Sequence, residues 1–124
     1  MPHLTLEYTN NLATLDADRI LLALNHALVA TGHFNAMDIK SRAIALDTWR
    51  VGTTSEPHAF VHVKLAILSG RPPEVKSAIS HALLGVLSES CKDLARHPVQ
   101  LCVEMLDIER ASYAKEVLNA DAVR

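Results

Sequence analysis

The sequence predicts an α+β fold in which two successive β-α-β units form a four-stranded mixed sheet with two helices on one face. Three observations carry that prediction. A strand pattern, a helix pattern and a second strand pattern follow one another in the first half of the chain; the same order recurs after a central loop; and each strand-to-strand connection is long enough for a parallel crossover. The two units are similar in length but share little identity, which reads as an internal duplication with halves near residues 2–50 and 58–108 of a single domain, 1–124.

The elements follow in order. His3-Leu4-Thr5-Leu6-Glu7-Tyr8 alternates as a strand does, and Thr9-Asn10-Asn11 supplies turn chemistry. Over residues 16–31 the apolar spacing becomes helical, with Ile20, Leu24, Ala27 and Leu28 on one side, Asp16 as the N-cap and Gly32 as the stop. A second strand over residues 40–49 carries Ala43-Ile44-Ala45-Leu46, and residues 50–57, with Gly52, Ser55 and Pro57, form the dividing loop. A third strand covers residues 59–68. After a turn at Ser69-Gly70-Arg71 a helix opens on Pro72-Pro73, and a fourth strand covers residues 98–107. In the second helix Val75, Ile79, Leu83 and Leu87 recur every four residues, and Ala78, Ala82 and Val86 widen the stripe. The tail beyond Ile108 is expected to hold a short helix. Helices on one face leave the other sheet face bare; assigning Leu4, Leu6, Val61, Val63 and Leu65 to that face makes association through the sheets the means of covering it.

Composition excludes several classes of function. A chain of 124 residues, 49% of them hydrophobic, can bury a core without disulfide or metal staples. Its 12 Lys+Arg against 14 Asp+Glu leave a net charge of -2, with no basic footprint for nucleic acid or an anionic membrane. Cys91 and Cys102 stand among apolar residues without ligand spacing and read as core thiols. The first fifteen residues lack a basic segment followed by an apolar run, and no stretch is long enough to span a bilayer, so a cytoplasmic protein is expected.

Pro2 is the most informative residue. Removal of Met1 before a proline leaves a secondary amine at the start of a strand; an α-amino group has an ordinary pKa of ~8, which burial or neighbouring cations lower, and it can then act as a base near neutral pH. Many ordinary proteins also begin Met-Pro, so the dipeptide alone says nothing. Arg71 follows a glycine at a strand-to-helix turn, which puts a cation beside the backbone donors of a helix N-terminus. Arg42 lies in a strand of small and apolar residues, where a cation meets a carboxylate or faces a cavity. Either arginine alone is more often a structural ion pair. Together with Pro2 they supply one base and two donors for carboxylate and enolate oxygens. His58 and His62, four apart on an extended chain, are too far apart for one zinc and suit a surface or interface role. There is no phosphate-binding glycine loop and no nucleophile elbow.

At this point the chain resembles the 5-carboxymethyl-2-hydroxymuconate isomerases of the tautomerase superfamily. The resemblance rests on Met1-Pro2-His3, Ala30-Thr31-Gly32-His33-Phe34, Ser41-Arg42, Asp47-Thr48-Trp49, Ala59-Phe60-Val61-His62-Val63 and Gly70-Arg71. The second half also resembles a short 4-oxalocrotonate tautomerase through Ile67-Leu68-Ser69-Gly70-Arg71 and the helix that follows. It implies a homotrimer of duplicated β-α-β chains with Pro2 as catalytic base. It further implies that Arg71 binds a substrate carboxylate and that Arg42 is presented to a neighbouring subunit's site near the 2-hydroxy or keto oxygen. Leu12 takes the place of Arg71 in the first half, so each half keeps one part of a once-repeated site. Lys40 stands where relatives carry arginine, keeping the charge without the bidentate fork.

The reaction these residues imply is a proton shift on an unsaturated 2-hydroxy or 2-keto dicarboxylic acid such as 5-carboxymethyl-2-hydroxymuconate, a step of aromatic catabolism. Pro2 is the base, Arg42, Arg71 and Lys40 bind substrate, Phe34 and Trp49 line an apolar wall, and neither metal nor cofactor is required. The alternatives are a non-catalytic trimeric binding protein built like macrophage migration inhibitory factor, or another superfamily activity: phenylpyruvate-type tautomerase, dehalogenase or decarboxylase.

Overall fold

Asp16 accepts a hydrogen bond from the Arg19 amide at 3.2 Å and so satisfies one of the free N–H groups that open a helix. In the computed structural model, which describes residues 1–119, this is the N-cap of α1 (Ala17–Ala30), and Gly32, at φ 82°, turns the chain out of it. β1 (His3–Thr9) precedes α1, and β2 (Lys40–Leu46) follows a 3-10 turn at Ala36–Asp38. The second unit repeats the order as β3 (Ala59–Leu68), α2 (Pro73–Cys91) and β4 (Val99–Ile108). β2 stops three residues short of expectation, because Asp47, Thr48 and Trp49 leave the sheet once Leu46 has paired with Thr9.

The sheet order is β2-β1-β3-β4, with β1 parallel to β2, β3 parallel to β4, and β1 antiparallel to β3. This is the mixed sheet of two parallel crossovers that the sequence predicts. The antiparallel centre has a consequence for function: the start of β1, the start of β2 and the ends of β3 and β4 all meet at one edge of the sheet. His3 is opposite Lys40 and Ala66, and the Ser69 amide bonds the Ile108 carbonyl at 2.9 Å.

The core corrects one expectation. Leu4, Leu6, Val61, Val63 and Leu65 do not sit on an uncovered face; each has 0% exposure, packed under Ile20, Leu24 and Leu28 of α1 and Ile79, Leu83 and Leu87 of α2. Each such leucine contributes about 1.5–3 kcal/mol by leaving water. Because side chains alternate along a strand, the other sheet face carries Thr5, Glu7, Arg42, His62, Lys64 and Glu104. There His62 lies with Nε2 3.2 Å from Glu104 and Nδ1 3.9 Å from Glu7, and the most exposed large apolar residues are Ile44 and Leu106 on the outer strands.

Cys91 is buried, and burial pushes its thiol pKa up, but Cys102 is not a core thiol: it pairs with His62 on the polar face and is exposed. His58 lies in the loop before β3, bonded to the Glu56 carbonyl at 3.0 Å, so it does not share a strand with His62. The tail forms a single 3-10 turn at Arg110–Ser112 and has no regular structure over residues 113–119; a helix over residues 120–124 would lie outside the described residues. Among the described residues no helix is long and apolar enough to cross a membrane.

Candidate active site

The edge where strand starts and strand ends converge is where all the sequence-predicted site residues but Trp49 stand. Pro2 is buried at the head of β1, its carbonyl accepting the Lys40 amide at 3.1 Å, which fixes the terminus against β2. Beside it opens a cavity of about 170 Å³ lined by Met1, Pro2, Phe34, Asn35, Asp38 and Arg71, among others. Arg71 reaches it because Gly70, at φ 120°, turns the chain sharply after β3 and Pro72 holds the following residues as the entry to α2.

Within this cavity Arg71 is held on two sides. Its Nη2 donates to the His33 carbonyl at 3.3 Å, and its guanidinium carbon lies 4.8 Å from the Phe34 ring centroid. Phe34 also packs against the hydrophobic core, so the apolar support for the cation is anchored.

Lys40 and Arg42 flank the terminus from β2. The Lys40 ammonium caps the Asp38 carbonyl at 2.6 Å. Among the described residues Arg42 meets no carboxylate; its Nη2 donates to His3 Nδ1 at 3.2 Å, and His3 Nε2 is 2.9 Å from the Tyr113 hydroxyl. A guanidinium can only donate, so His3 Nδ1 is the acceptor and a neutral ring carries its proton on Nε2, directed at Tyr113. Burial, then Lys40 and Arg42, lower the His3 pKa, which favours that neutral ring.

Sequence reasoning did not single out Asp38, Tyr113 or Lys115. Lys115 Nζ is 3.1 Å from Asp38 Oδ1 and 3.1 Å from the Met1 sulfur. The hydrogen bond from Lys115 holds the Asp38 carboxyl below its usual range. The terminal amine, which in this chain belongs to Met1, is lowered by burial first; Asp38 opposes the shift, and Lys40, Arg71 and Lys115 add to it.

Trp49 is not at this cavity. It lies beyond the Leu46–Thr9 pair, ~20 Å along the sheet from Pro2 at ~3.3 Å per strand residue. There it lines a separate hollow of about 390 Å³ with Arg50, Glu56 and His58. Among the described residues no group of three or more His, Cys, Asp or Glu side chains is placed to hold a metal.

A base position and an anchored cation in one cavity, with further cations beside it, can take a proton from an acid substrate and stabilise the resulting enolate. Comparison with known proteins points the same way. The family model for 5-carboxymethyl-2-hydroxymuconate isomerase matches residues 2–120. The 5-carboxymethyl-2-hydroxymuconate Delta-isomerase of Escherichia coli is 31% identical over 88 residues, covering 70% of each chain. The crystal structure of a 5-carboxymethyl-2-hydroxymuconate isomerase from Deinococcus radiodurans R1 superposes with a TM-score of 0.87 at 35% identity, over 99% of this chain and 94% of that one. A fused 4-OT symmetric trimer shares the fold, with a TM-score of 0.67 at 22% identity over 98% of both chains.

Proposed function

The chain belongs to the 5-carboxymethyl-2-hydroxymuconate isomerase family, and from that premise we propose that it is an isomerase whose base is Pro2, freed as a secondary amine by removal of Met1. Its substrate is an unsaturated 2-hydroxy or 2-keto acid such as 5-carboxymethyl-2-hydroxymuconate. That molecule carries three carboxylates, two on the muconate chain and one on the carboxymethyl branch.

Neutral Pro2 takes the proton of the 2-hydroxyl, breaking its O–H bond, the negative charge on the 2-oxygen spreads into the conjugated carbons, and the same proton returns at a vinylogous carbon as the C2–O bond becomes a carbonyl. Substrate and product have the same atoms, and the base is regenerated, so the step balances with no co-reactant. Arg71 holds a carboxylate. Arg42 of a neighbouring copy, kept in place by its own neutral His3, stabilises the enolate oxygen, and Lys40 adds positive potential near the amine.

The observation that carries this reading is that Pro2 and Arg71, from opposite halves of the chain, line one cavity. The active form is a homotrimer, a proposal supported by the shared fold with the fused 4-OT trimer. In that assembly Arg42, outside the cavity of its own chain, is presented to the site of a neighbouring copy. The test pairs intact mass with a ketonisation assay on 5-carboxymethyl-2-hydroxymuconate. Turnover by protein lacking Met1 and none by protein retaining it is the expected result; no turnover by the processed protein overturns the reading.

A further inference from the structure

We infer that Lys115 is a carboxylate-binding residue of this site, covered by Met1 in the unprocessed chain and opened to substrate when Met1 leaves. The inference rests on the proposed function and adds a binding position on the C-terminal tail.

The tail is led to the site by polar contacts that any short extended segment can make. Arg110 Nε donates to the Ser69 carbonyl at 2.6 Å, which ties the tail to the turn that carries Arg71. Tyr113 then meets His3, the neighbour of Pro2. Two residues on, the Lys115 side chain, only 25% exposed, turns in to Asp38 and Met1.

An ammonium has three donors and seeks oxygen acceptors. Lys115 has one carboxylate oxygen, Asp38 Oδ1, and beside it a thioether, a weak acceptor. Met1 and Asp38 both line the cavity, whereas Lys115 reaches it only through them. Loss of Met1 removes the thioether and leaves an ammonium with unused donors beside the vacated space.

Charge points to the same occupant. Around the terminus stand Lys40, Arg71 and Lys115 against the single carboxylate of Asp38, an excess of two positive charges before Arg42 is counted. A substrate with three carboxylates and one enolate oxygen carries four negative charges, more than Arg71 and Arg42 offset. Among the described residues Lys115 is a cation already beside the base and tied to nothing stronger than the one partly exposed carboxylate of Asp38.

The experiment compares the wild type, Lys115→Gln and Lys115→Arg, all shown by mass to lack Met1, with Met1-retaining forms alongside. Binding of adipate and of hexanoate, an equal-length acid with one carboxylate, is measured by calorimetry. Lys115→Gln should weaken adipate by roughly 10-fold or more, as expected for a lost charged hydrogen bond, and hexanoate by less. Lys115→Arg should recover most of the loss, and in Met1-retaining protein the substitution should matter little. With 5-carboxymethyl-2-hydroxymuconate the loss should appear chiefly in KM. Equal weakening of both acids, no rescue by arginine, or no effect on adipate overturns the inference. None of these outcomes touches the proline mechanism, which fails on its own if processed wild type binds adipate yet turns over no substrate.

Discussion

The Arg71 guanidinium carbon stands 4.8 Å from the centroid of the Phe34 ring, while Nη2 of the same group donates to the neighbouring His33 carbonyl at 3.3 Å. The two halves of the duplication meet in this contact. Phe34 follows α1 of the first unit, and Arg71 follows β3 of the second. A cation stacked on a ring that is itself packed on the core keeps its remaining donors aimed into the cavity without reorganising.

Arg71→Ala should therefore lower kcat/KM for the polycarboxylate by roughly 10²-fold, as for removal of one preorganised donor. Its effect on stability should be small, because the side chain lies at a turn outside the core. Arg71→Lys should recover only part, lacking the planar fork, and Phe34→Leu should cost roughly 3- to 10-fold through loss of the cation–π support. Steady-state kinetics on the polycarboxylate and on a mono-acid enol are the check: equal losses on both would remove Arg71 from the role of carboxylate clamp.

Asp16→Ala should destabilise the protein by about 1 kcal/mol without changing kcat, since the carboxylate caps the α1 amides through Arg19 N and stands far from Pro2 in the fold. Urea denaturation at fixed protein concentration measures it. A loss within error of zero would mean that the cap at 3.2 Å adds nothing to packing of the helix.

The elements were legible because their signals are local: Asp16 as cap, Gly32 as stop, the four-residue apolar period of α2 and the alternation of β3 each act within a few residues. Which sheet face the helices cover was misassigned, although the residues contained the answer. Along β1 and β3 one alternating set, Leu4, Leu6, Val61, Val63 and Leu65, is wholly apolar, and the other includes Thr5, Glu7, His62 and Lys64. Helices with apolar stripes must take the first set, which leaves the polar set open. Cys102 was misplaced for the same reason, since it lies one residue out of phase with the half-buried Leu101 and Val103. In the candidate site Pro2, Arg71 and Phe34 were found from sequence and do meet. Tyr113 and Lys115 could not be, because the tail has no period and is placed by single polar contacts to residues 110 and 77 positions away.

The polar character of the open sheet face alters what a trimer interface must look like. Ile44 and Leu106, 46% and 40% exposed on the outer strands, are the most exposed large apolar groups on that face. Ile44→Lys should shift the proposed homotrimer toward smaller species by placing a charge where a neighbouring copy packs. Sedimentation equilibrium at micromolar concentration decides: an unaltered trimer would put the interface elsewhere, and a monomeric wild type would sink the trimer itself.

The pH profile tests the base, with a sign that the surroundings fix. A general base works in its deprotonated form, so kcat/KM should rise through the pKa of the terminal amine. Burial, assisted by Lys40, Arg71 and Lys115 and opposed by Asp38, lowers that pKa for the amine of Met1. The Pro2 amine of the processed chain lies one residue deeper among the same charges, so its ascending limb should fall below the ~8 of an ordinary terminus. Lys40→Gln removes a cation and should move the limb to higher pH; Asp38→Asn removes the opposing carboxylate and should move it lower. Retaining Met1 turns the Pro2 nitrogen into an amide, which has no basic lone pair, so turnover should vanish while the fold persists. In the processed protein 3-bromopropiolate should modify the first residue and stop turnover in proportion. A protein shown by mass to keep Met1 and yet fully active would refute proline as the base, whatever the variants did to the profile.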